Sequence, residues 1–202
     1  MNMITNDSFQ QRDSDTSPLK VLFFGREGCK WSEKIYTTMK DNPNFSTIYI
    51  ESKGRNENFP EEVQLWEGDY ILCFRSLFIL PKSILDKAKI AAINFHPGPP
   101  EYPGSGCINF ALYEGVLEYG VTAHLMNEKV DNGSILQVNR FPILKKDDLV
   151  SLLQKTHQAL WDLCSDFLLS IDSSDGKSFI SEMVENCKHE TWKGKPRKIK
   201  DL

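Results

Sequence analysis

The sequence lacks any apolar run close to the about 20 residues that a membrane-spanning helix needs. Its first residues are polar and carry no apolar signal-peptide core. The chain has five cysteines, an odd number, and no two of them stand at C-x-x-C spacing. Neither a zinc site nor a disulfide framework is therefore indicated. We expect no membrane partner, no metal ion and a reducing, cytoplasmic location.

An excess of positive charge is also missing. The 24 Lys and Arg residues against 28 Asp and Glu give a formal net charge of −4. This balance provides no general attraction to a phosphate backbone, so we expect no nucleic-acid partner. Basic residues do gather at the C-terminus, at Lys193, Lys195, Arg197, Lys198 and Lys200. We interpret this run as part of a solvated tail that covers residues 173–202.

What the sequence does contain is a regular alternation of strand-like and helix-like segments. Hydrophobic residues make up 40% of the chain, which is enough for one sizeable core. Short apolar runs predict strands at 19–24, 46–51, 70–74 and 90–95, with helices at 32–40 and 81–89. Such βαβ units predict an α/β fold with an open, mostly parallel sheet flanked by helices.

The pattern changes after residue 95. A Pro/Gly-rich loop at 96–106 precedes a predicted helix at 107–114, two strands at 120–126 and 134–141, and a long helix at 149–171. This last helix is apolar on more than one side, which indicates either deep burial or a homodimer contact. We divide the chain into a disordered segment (1–18), one folded domain (19–172) and the tail.

Two polar segments are candidates for chemistry. Asn94 and His96 are two residues apart at a strand end, so their side chains point to the same side. A neutral imidazole can relay a proton, and a carboxamide N–H can stabilise an oxyanion, as acyl transfer requires. Asp131 precedes Asn132 and Gly133 in a turn that could bring its carboxylate beside His96. The structural alternatives are a histidine that satisfies a buried carbonyl and an ordinary hairpin turn.

Together these residues resemble the 10-formyltetrahydrofolate-dependent formyltransferases. That family combines an Asn-x-His at a strand end, a Pro/Gly loop, and an Asp several dozen residues later in an Asp-x-Gly turn. The segment Gly120 to His124 also matches the family strand that precedes the Asp. The likeness covers residues 19–168, and the spaced set is more specific than any single element.

The resemblance implies a Rossmann-like formyltransferase fold, with residues 19–172 as the catalytic domain and 10-formyltetrahydrofolate as cosubstrate. Asn94, His96 and Asp131 would be the catalytic residues: the first two steady the oxyanion, and Asp131 orients His96 and helps to take the proton. The donor would be held by Arg75, Ser76, Leu80 and Val130. No metal would be needed, because the folate nitrogen already activates the formyl group.

The acceptor is less constrained by the resemblance. Arg26 and Glu27 replace the Gly/Ser-rich phosphate cradle of glycinamide ribonucleotide formyltransferases. Methionyl-tRNA formyltransferases carry a further C-terminal domain, which this sequence does not show. We expect a small-molecule amine, with a nucleotide-linked amino sugar as the first choice. Formyl transfer to glycinamide ribonucleotide or methionyl-tRNA, a formyltetrahydrofolate hydrolase (deformylase) and a non-catalytic folate-binding module are the alternatives.

Overall fold

The computed structural model describes residues 17–55 and 57–202. Residues 1–16, which make up most of the predicted disordered segment, lie outside the described residues. Six strands form one sheet in the order β2-β1-β3-β4-β5-β6. The strands are β1 (Leu19–Arg26), β2 (Phe45–Ser52), β3 (Gly68–Phe74), β4 (Ala88–His96), β5 (Glu118–Leu125) and β6 (Ile135–Pro142). The first four are parallel to one another, and β5 and β6 add to the β4 edge as antiparallel strands. The predicted α/β fold with a mostly parallel sheet is confirmed.

The helices are α1 (Lys30–Lys40), α2 (Glu61–Leu65), α3 (Lys82–Leu85), α4 (Cys107–Glu114), α5 (Leu149–Ser173) and α6 (Gly176–Asn186), followed by a 3-10 turn at Ile199–Asp201. The helix predicted at 81–89 ends at Leu85, because the backbone from Ala88 onward pairs with β3. The short α2 has too few apolar residues to give a helical periodicity and was not predicted.

The two faces of the sheet bury separate hydrophobic clusters. Val21 and Phe23 face α1, α5 and α6, whereas Leu22 and Phe24 face the opposite side, as expected from the alternation of side chains along a strand. On α5, Leu160, Leu163 and Phe167 are all buried in the first cluster. Deep burial therefore accounts for these three residues of α5, and a homodimer remains a prediction.

The segment 173–202 is not a solvated tail. Helix α6 packs on β4 and β6. Residues 191–201, which we call the C-terminal strap, lie along the Pro/Gly loop. Its backbone donates from Lys193 to the Pro100 carbonyl (2.9 Å) and from Arg197 to the Pro103 carbonyl (3.0 Å). The Arg197 guanidinium also pairs with Glu114 at 2.6 Å. The run of basic residues could not reveal these backbone contacts.

The described part of the chain contains neither a membrane-spanning helix nor a cluster of metal ligands. No helix in it is long and apolar enough to cross a bilayer. It also contains no group of three or more His, Cys, Asp or Glu side chains arranged to hold a metal ion.

The burial of α5 gives a test of the fold. Leu163→Ala removes a side chain that is 0% exposed, whereas Leu169→Ala truncates one that is 67% exposed on the same helix. Loss of buried apolar contacts should lower the free energy of unfolding by about 2–5 kcal/mol for Leu163→Ala. The Leu169→Ala variant should stay within about 0.5 kcal/mol of the parent. Urea denaturation followed by circular dichroism measures both, and equal effects would contradict this packing.

Candidate active site

Pairing between β4 and β5 assembles the polar centre at the carboxyl end of β4. Asn94 and His96 leave β4 on one face, and the register sets Asn94 opposite His124 and His96 opposite Thr122. His96 is 3% exposed and His124 is 2% exposed. Two histidines and one carboxamide thus occupy one side of two neighbouring strands.

The turn after β5 brings a carboxylate to these groups. Asp131 lies in the left-handed backbone region (φ +46°), which Asp tolerates better than most residues. Gly133 lets the turn fold back onto β5, since a Cβ there would lie 1.8 Å from the Leu125 carbonyl oxygen. The Gly104 backbone N–H donates to Asp131 Oδ2 at 2.7 Å. The turn is therefore a hairpin connection that also delivers a buried carboxylate.

The carboxylate of Asp131 lies between the two imidazoles. Its Oδ2 is 3.4 Å from His96 Nδ1, and its Oδ1 is 3.4 Å from His124 Nε2. Asn94 Nδ2 lies 3.1 Å from the same His124 nitrogen. The three residues predicted from the sequence are therefore brought together, with His124 as a fourth member. His96 also satisfies a buried carbonyl, because its Nε2 lies 2.9 Å from the Tyr102 oxygen.

Burial and charge act in opposite directions on this pair. Burial disfavours the charged imidazole of His96, but the Asp131 carboxylate, Cys107 and the Tyr102 carbonyl together outweigh it and raise the pKa of His96 to about 9. Burial likewise opposes the ionised form of Asp131, yet His96 and His124 lower the pKa of that carboxyl below its ordinary value. Both shifts favour an imidazolium and a carboxylate at neutral pH, whereas the sequence led us to expect a neutral His96.

The tautomer of His124 follows from its neighbours. Its Nδ1 lies 2.8 Å from the Leu125 carbonyl oxygen, which can only accept, so Nδ1 carries the hydrogen. Its Nε2 faces both Asn94 Nδ2, at 3.1 Å, and Asp131 Oδ1, at 3.4 Å. This contact fixes the position of the Asn94 carboxamide, whose second N–H points away from it.

These groups open into a cavity of about 680 Å³. This volume lies within the range of about 300–1,000 Å³ that small-molecule sites occupy. Asn94, His96, His124 and Asp131 line the cavity. All four residues predicted to bind the donor line it as well, namely Arg75, Ser76, Leu80 and Val130. Their role remains a prediction, but the required proximity to the catalytic candidates is present.

The loop that carries Arg75 and Ser76 is held in an uncommon conformation. Arg75 has a φ of +57°, in the left-handed region that a long side chain rarely adopts. The Ser76 hydroxyl accepts from the Phe78 backbone N–H at 3.2 Å. Ser52 Oγ accepts the Leu77 backbone N–H at 2.8 Å. Ser76 therefore shapes the loop, whose other residues face the cavity.

Positive charges gather on one wall of the cavity. Arg26, Arg75 and His157 line it, and Lys30 lies close to them. We call these four residues the cationic cluster. Burial and the charges of Arg75, Lys30 and Arg26 lower the pKa of His157 to about 4. Within residues 17–55 and 57–202, no carboxylate forms an ion pair with the three permanent cations of this cluster.

The sequence had placed Arg26 and Glu27 in a loop that fits a backbone phosphate cradle poorly. In the structure, the Glu27 carboxylate turns to Lys53 at 3.0 Å. The positive charge of Arg26 is therefore left facing the cavity. Side-chain charge, rather than backbone N–H groups, can attract an anion at this loop.

Sequence reasoning left two important residues out of the site. His124 could have been predicted, because it is two residues from Thr122 on a strand. Both side chains therefore share one face, the face that carries Asn94 and His96. No local sequence pattern around Trp192 indicated that it belongs to the site. Its ring meets the His124 ring edge to face, with centroids 4.9 Å apart, and lies 5.6 Å from the His96 ring. Its indole N–H donates to the Gly133 carbonyl at 2.9 Å.

An open α/β sheet with a carboxamide, an imidazolium and a carboxylate grouped at a strand end defines an acyl-transfer type of site. Comparison with known proteins identifies the family. The model of the formyl transferase family matches residues 19–165. The chain belongs to this family, and the resemblance inferred from the motifs is confirmed.

Sequence relatives include methionyl-tRNA formyltransferases. The enzyme of that name from Listeria monocytogenes is 33% identical over 126 residues. The match covers 60% of this chain and 40% of the relative. The one from Limosilactobacillus fermentum is 37% identical over 97 residues, covering 48% of this chain and 31% of the relative. The chain thus matches less than half the length of these relatives.

Solved structures share the fold at lower identity. A sugar N-formyltransferase from Shewanella sp. superposes with a TM-score of 0.65 at 20% identity, covering 91% of this chain and 78% of the other. PseJ from Anoxybacillus kamchatkensis gives 0.62 at 19% identity, with 90% and 87% coverage. Phosphoribosylglycinamide formyltransferase from Streptococcus pneumoniae gives 0.61 at 21% identity, with 76% and 98% coverage.

The coupling of His96 to Asp131 can be measured directly. In Asp131→Asn the carboxylate charge is lost while the burial of His96 remains, so the pKa of His96 should fall from about 9 toward its ordinary 6.5. Long-range ¹H–¹⁵N spectra of the histidine rings during a pH titration report this value. The exposed Glu182→Gln on α6 is the control and should leave it unchanged. A His96 pKa near 6.5 in the parent protein would contradict the coupling.

Proposed function

We propose that this protein transfers a formyl group from 10-formyltetrahydrofolate to a primary amine, and that the acceptor is an amino sugar carried on a nucleotide. The observation that supports formyl transfer most strongly is the convergence of Asn94, His96 and Asp131 on one cavity, in a chain of the formyl transferase family. The donor, the reaction and the acceptor are supported by different residues.

The donor is assigned to the loop after β3 and the turn after β5. Leu80 and Val130 offer apolar contacts to a flat pteridine ring, and both line the cavity. Val130 is 44% exposed, so its side chain is uncovered on the turn that carries Asp131. A donor bound between these segments lies beside the catalytic candidates.

The reaction is an attack of the amine nitrogen on the formyl carbon. A C–N bond forms to the acceptor, the bond from the carbon to N10 of the folate breaks, and one proton passes from the amine to N10. The second N–H of Asn94 and the charge of His96 stabilise the oxyanion of the tetrahedral intermediate. The Asp131 carboxylate keeps His96 charged and oriented, and it can accept the proton of the attacking amine.

The cationic cluster supports a phosphate-bearing acceptor. Arg26, Lys30 and Arg75 carry three positive charges, and a diphosphate is the common anion that matches such a density. Two structural neighbours bear on this choice. PseJ is in complex with a UDP-linked formamido sugar and tetrahydrofolate, and an N-formyltransferase from Helicobacter canadensis is in complex with folinic acid and dTDP-3-aminofucose.

Methionyl-tRNA is the second candidate acceptor, because relatives with that activity in their names are 33% identical to this chain. Glycinamide ribonucleotide also carries a phosphate and an amine. Water would make the protein a formyltetrahydrofolate hydrolase with the same catalytic groups. All four acceptors use the same donor, so one assay separates them.

An acceptor screen with 10-formyltetrahydrofolate tests the proposed reaction. We expect turnover with nucleotide-linked amino sugars, and a fall in kcat of about 10²–10³-fold in Asn94→Ala and Asp131→Ala, because each removes a group that stabilises the transition state. His96→Ala should lose at least as much. Glu182→Gln, far from the cavity, should match the parent.

Other products would change the acceptor that we assign. Formylated methionyl-tRNA would support the second candidate, and formate release without any amine would support the hydrolase. Full activity in His96→Ala would overturn formyl transfer by this site.

The cationic cluster gives a separate test of the acceptor. Arg26→Ala and Lys30→Ala should raise the KM of the nucleotide sugar about tenfold or more, since each charged contact to a phosphate is lost, while the KM of the folate stays unchanged. Binding of UDP or dTDP should also raise the pKa of His157 from about 4, because an anion offsets the neighbouring cations. Lys177→Ala is the control, since Lys177 is an exposed cation on α6 that does not line the cavity. An unchanged His157 pKa at saturating UDP would contradict an anion site here.

A further inference from the structure

The residue in closest aromatic contact with the catalytic candidates lies outside the part of the chain that defines the family. The family model ends at residue 165, whereas Trp192 lies in the C-terminal strap. We propose that Trp192 is a positioning residue: its ring and its indole N–H hold the Asp131 turn and the two imidazoles in the geometry that formyl transfer requires. This inference rests on the proposed function.

Trp192 contacts both imidazoles of the polar centre and the turn that carries Asp131. Its indole N–H donates to the carbonyl of Gly133, two residues after Asp131, at 2.9 Å. The same ring meets His124 and His96 edge to face, at 4.9 and 5.6 Å between centroids. One side chain therefore fixes the turn that carries the carboxylate and the rings on which the carboxylate acts.

The turn needs such an anchor. Asp131 is held at φ +46°, a backbone conformation that is less favourable for L-residues than the extended or right-handed helical one, although Asp tolerates it better than most. Besides the Gly104 N–H, the described partners of the Asp131 carboxylate are the two histidines at 3.4 Å, which is longer than a typical charge-assisted hydrogen bond. A small displacement of the turn would therefore uncouple Asp131 from the imidazoles.

Several contacts tie the strap to the rest of the fold, as an anchor requires. It is fixed on one side of Trp192 by the Lys193 N–H bond to Pro100 and beyond it by the two backbone bonds of Arg197 with Pro103 and Ser105. The Arg197 guanidinium pairs with Glu114 and lies 4.1 Å from the centroid of the Phe110 ring. Because the same loop donates the Gly104 N–H to Asp131, the strap supports the carboxylate from two directions.

The apolar indole also changes the electrostatics. A ring that covers the edges of both imidazoles keeps water away from the contact with Asp131, and the attraction between opposite charges is stronger where water is excluded. Loss of the ring should therefore weaken the coupling that raises the pKa of His96.

Two substitutions separate the contributions of the ring and the N–H. Trp192→Phe keeps an aromatic ring beside the imidazoles but cannot donate to Gly133, and Trp192→Ala removes both. Trp66→Phe is the matched control, because Trp66 is buried (7% exposed) in the cluster on the opposite face of the sheet. Thermal unfolding of each variant measures how much stability is lost when an indole is removed.

The first measurement is the ¹H–¹⁵N titration of the histidine rings, which needs no substrate. We expect the pKa of His96 to fall toward 6.5 in Trp192→Ala, to fall less in Trp192→Phe, and to stay at its parent value in Trp66→Phe. A loss of structure alone would not give this order with Trp66→Phe as the reference.

The second measurement is steady-state kinetics with 10-formyltetrahydrofolate and the acceptor found in the screen. A displacement of the reacting groups by about 1 Å can cost about a hundredfold in rate, so kcat should fall by about that factor in Trp192→Ala and about tenfold in Trp192→Phe. The KM of the folate should change less than about threefold, since the strap leaves the donor loops untouched.

Each result either supports or contradicts the positioning role of Trp192. If the His96 pKa is the same in the parent and in folded Trp192→Ala, the inference is wrong, whatever the activity. If Trp192→Ala does not fold, Trp192→Phe decides, and an unchanged His96 pKa together with unchanged kcat overturns the role. If the parent protein transfers no formyl group, the proposed function fails while the titration still reports whether Trp192 positions the histidine.

Discussion

The structure depends on a single buried carboxylate held between two imidazoles. Leaving a charge out of water is unfavourable unless partners compensate it, so the groups around Asp131 are not free to vary independently. His96, His124 and the Gly104 N–H each supply part of that compensation. Three separate segments of the chain (the β4–β5 pair, the Pro/Gly loop and the turn after β5) therefore have to meet at one point.

This requirement explains features that are otherwise hard to interpret. The Pro/Gly loop is stiff and ends at Gly104, whose backbone can approach both Asp131 and the C-terminal strap because it has no side chain. Gly133 permits the equally close contact between the turn and β5. The same arrangement sets the protonation of His96, since a carboxylate in a water-poor site favours the imidazolium. The composition of the loop and the acid–base state of His96 are therefore both linked to one electrostatic contact.

The cavity combines this centre with two different kinds of wall. Leu80 and Val130 provide an apolar side, while Arg26 and Arg75 provide a cationic one. The proposed transfer from a folate donor to a phosphate-bearing acceptor would use both walls, with the catalytic candidates in the same cavity. The fold is shared with enzymes whose names refer to different amines. We therefore expect the side chains that line the cavity, rather than the catalytic groups, to determine the acceptor.

Much of this could be predicted from the sequence because the signals were local. Apolar runs located the strands, the two-residue period set Asn94 and His96 on one face, and the Asp-x-Gly turn identified Asp131. Four residues lining the cavity followed from the same family pattern. The sequence could not determine the partner of β5, the length of α3, or the position of residues 173–202, because each of these is decided by contacts between distant segments. His124 enters the site through antiparallel pairing, and Trp192 reaches Gly133 across 59 residues of chain. Local patterns determine which way a side chain points along its own element, whereas only the packing of elements decides which other side chain it meets.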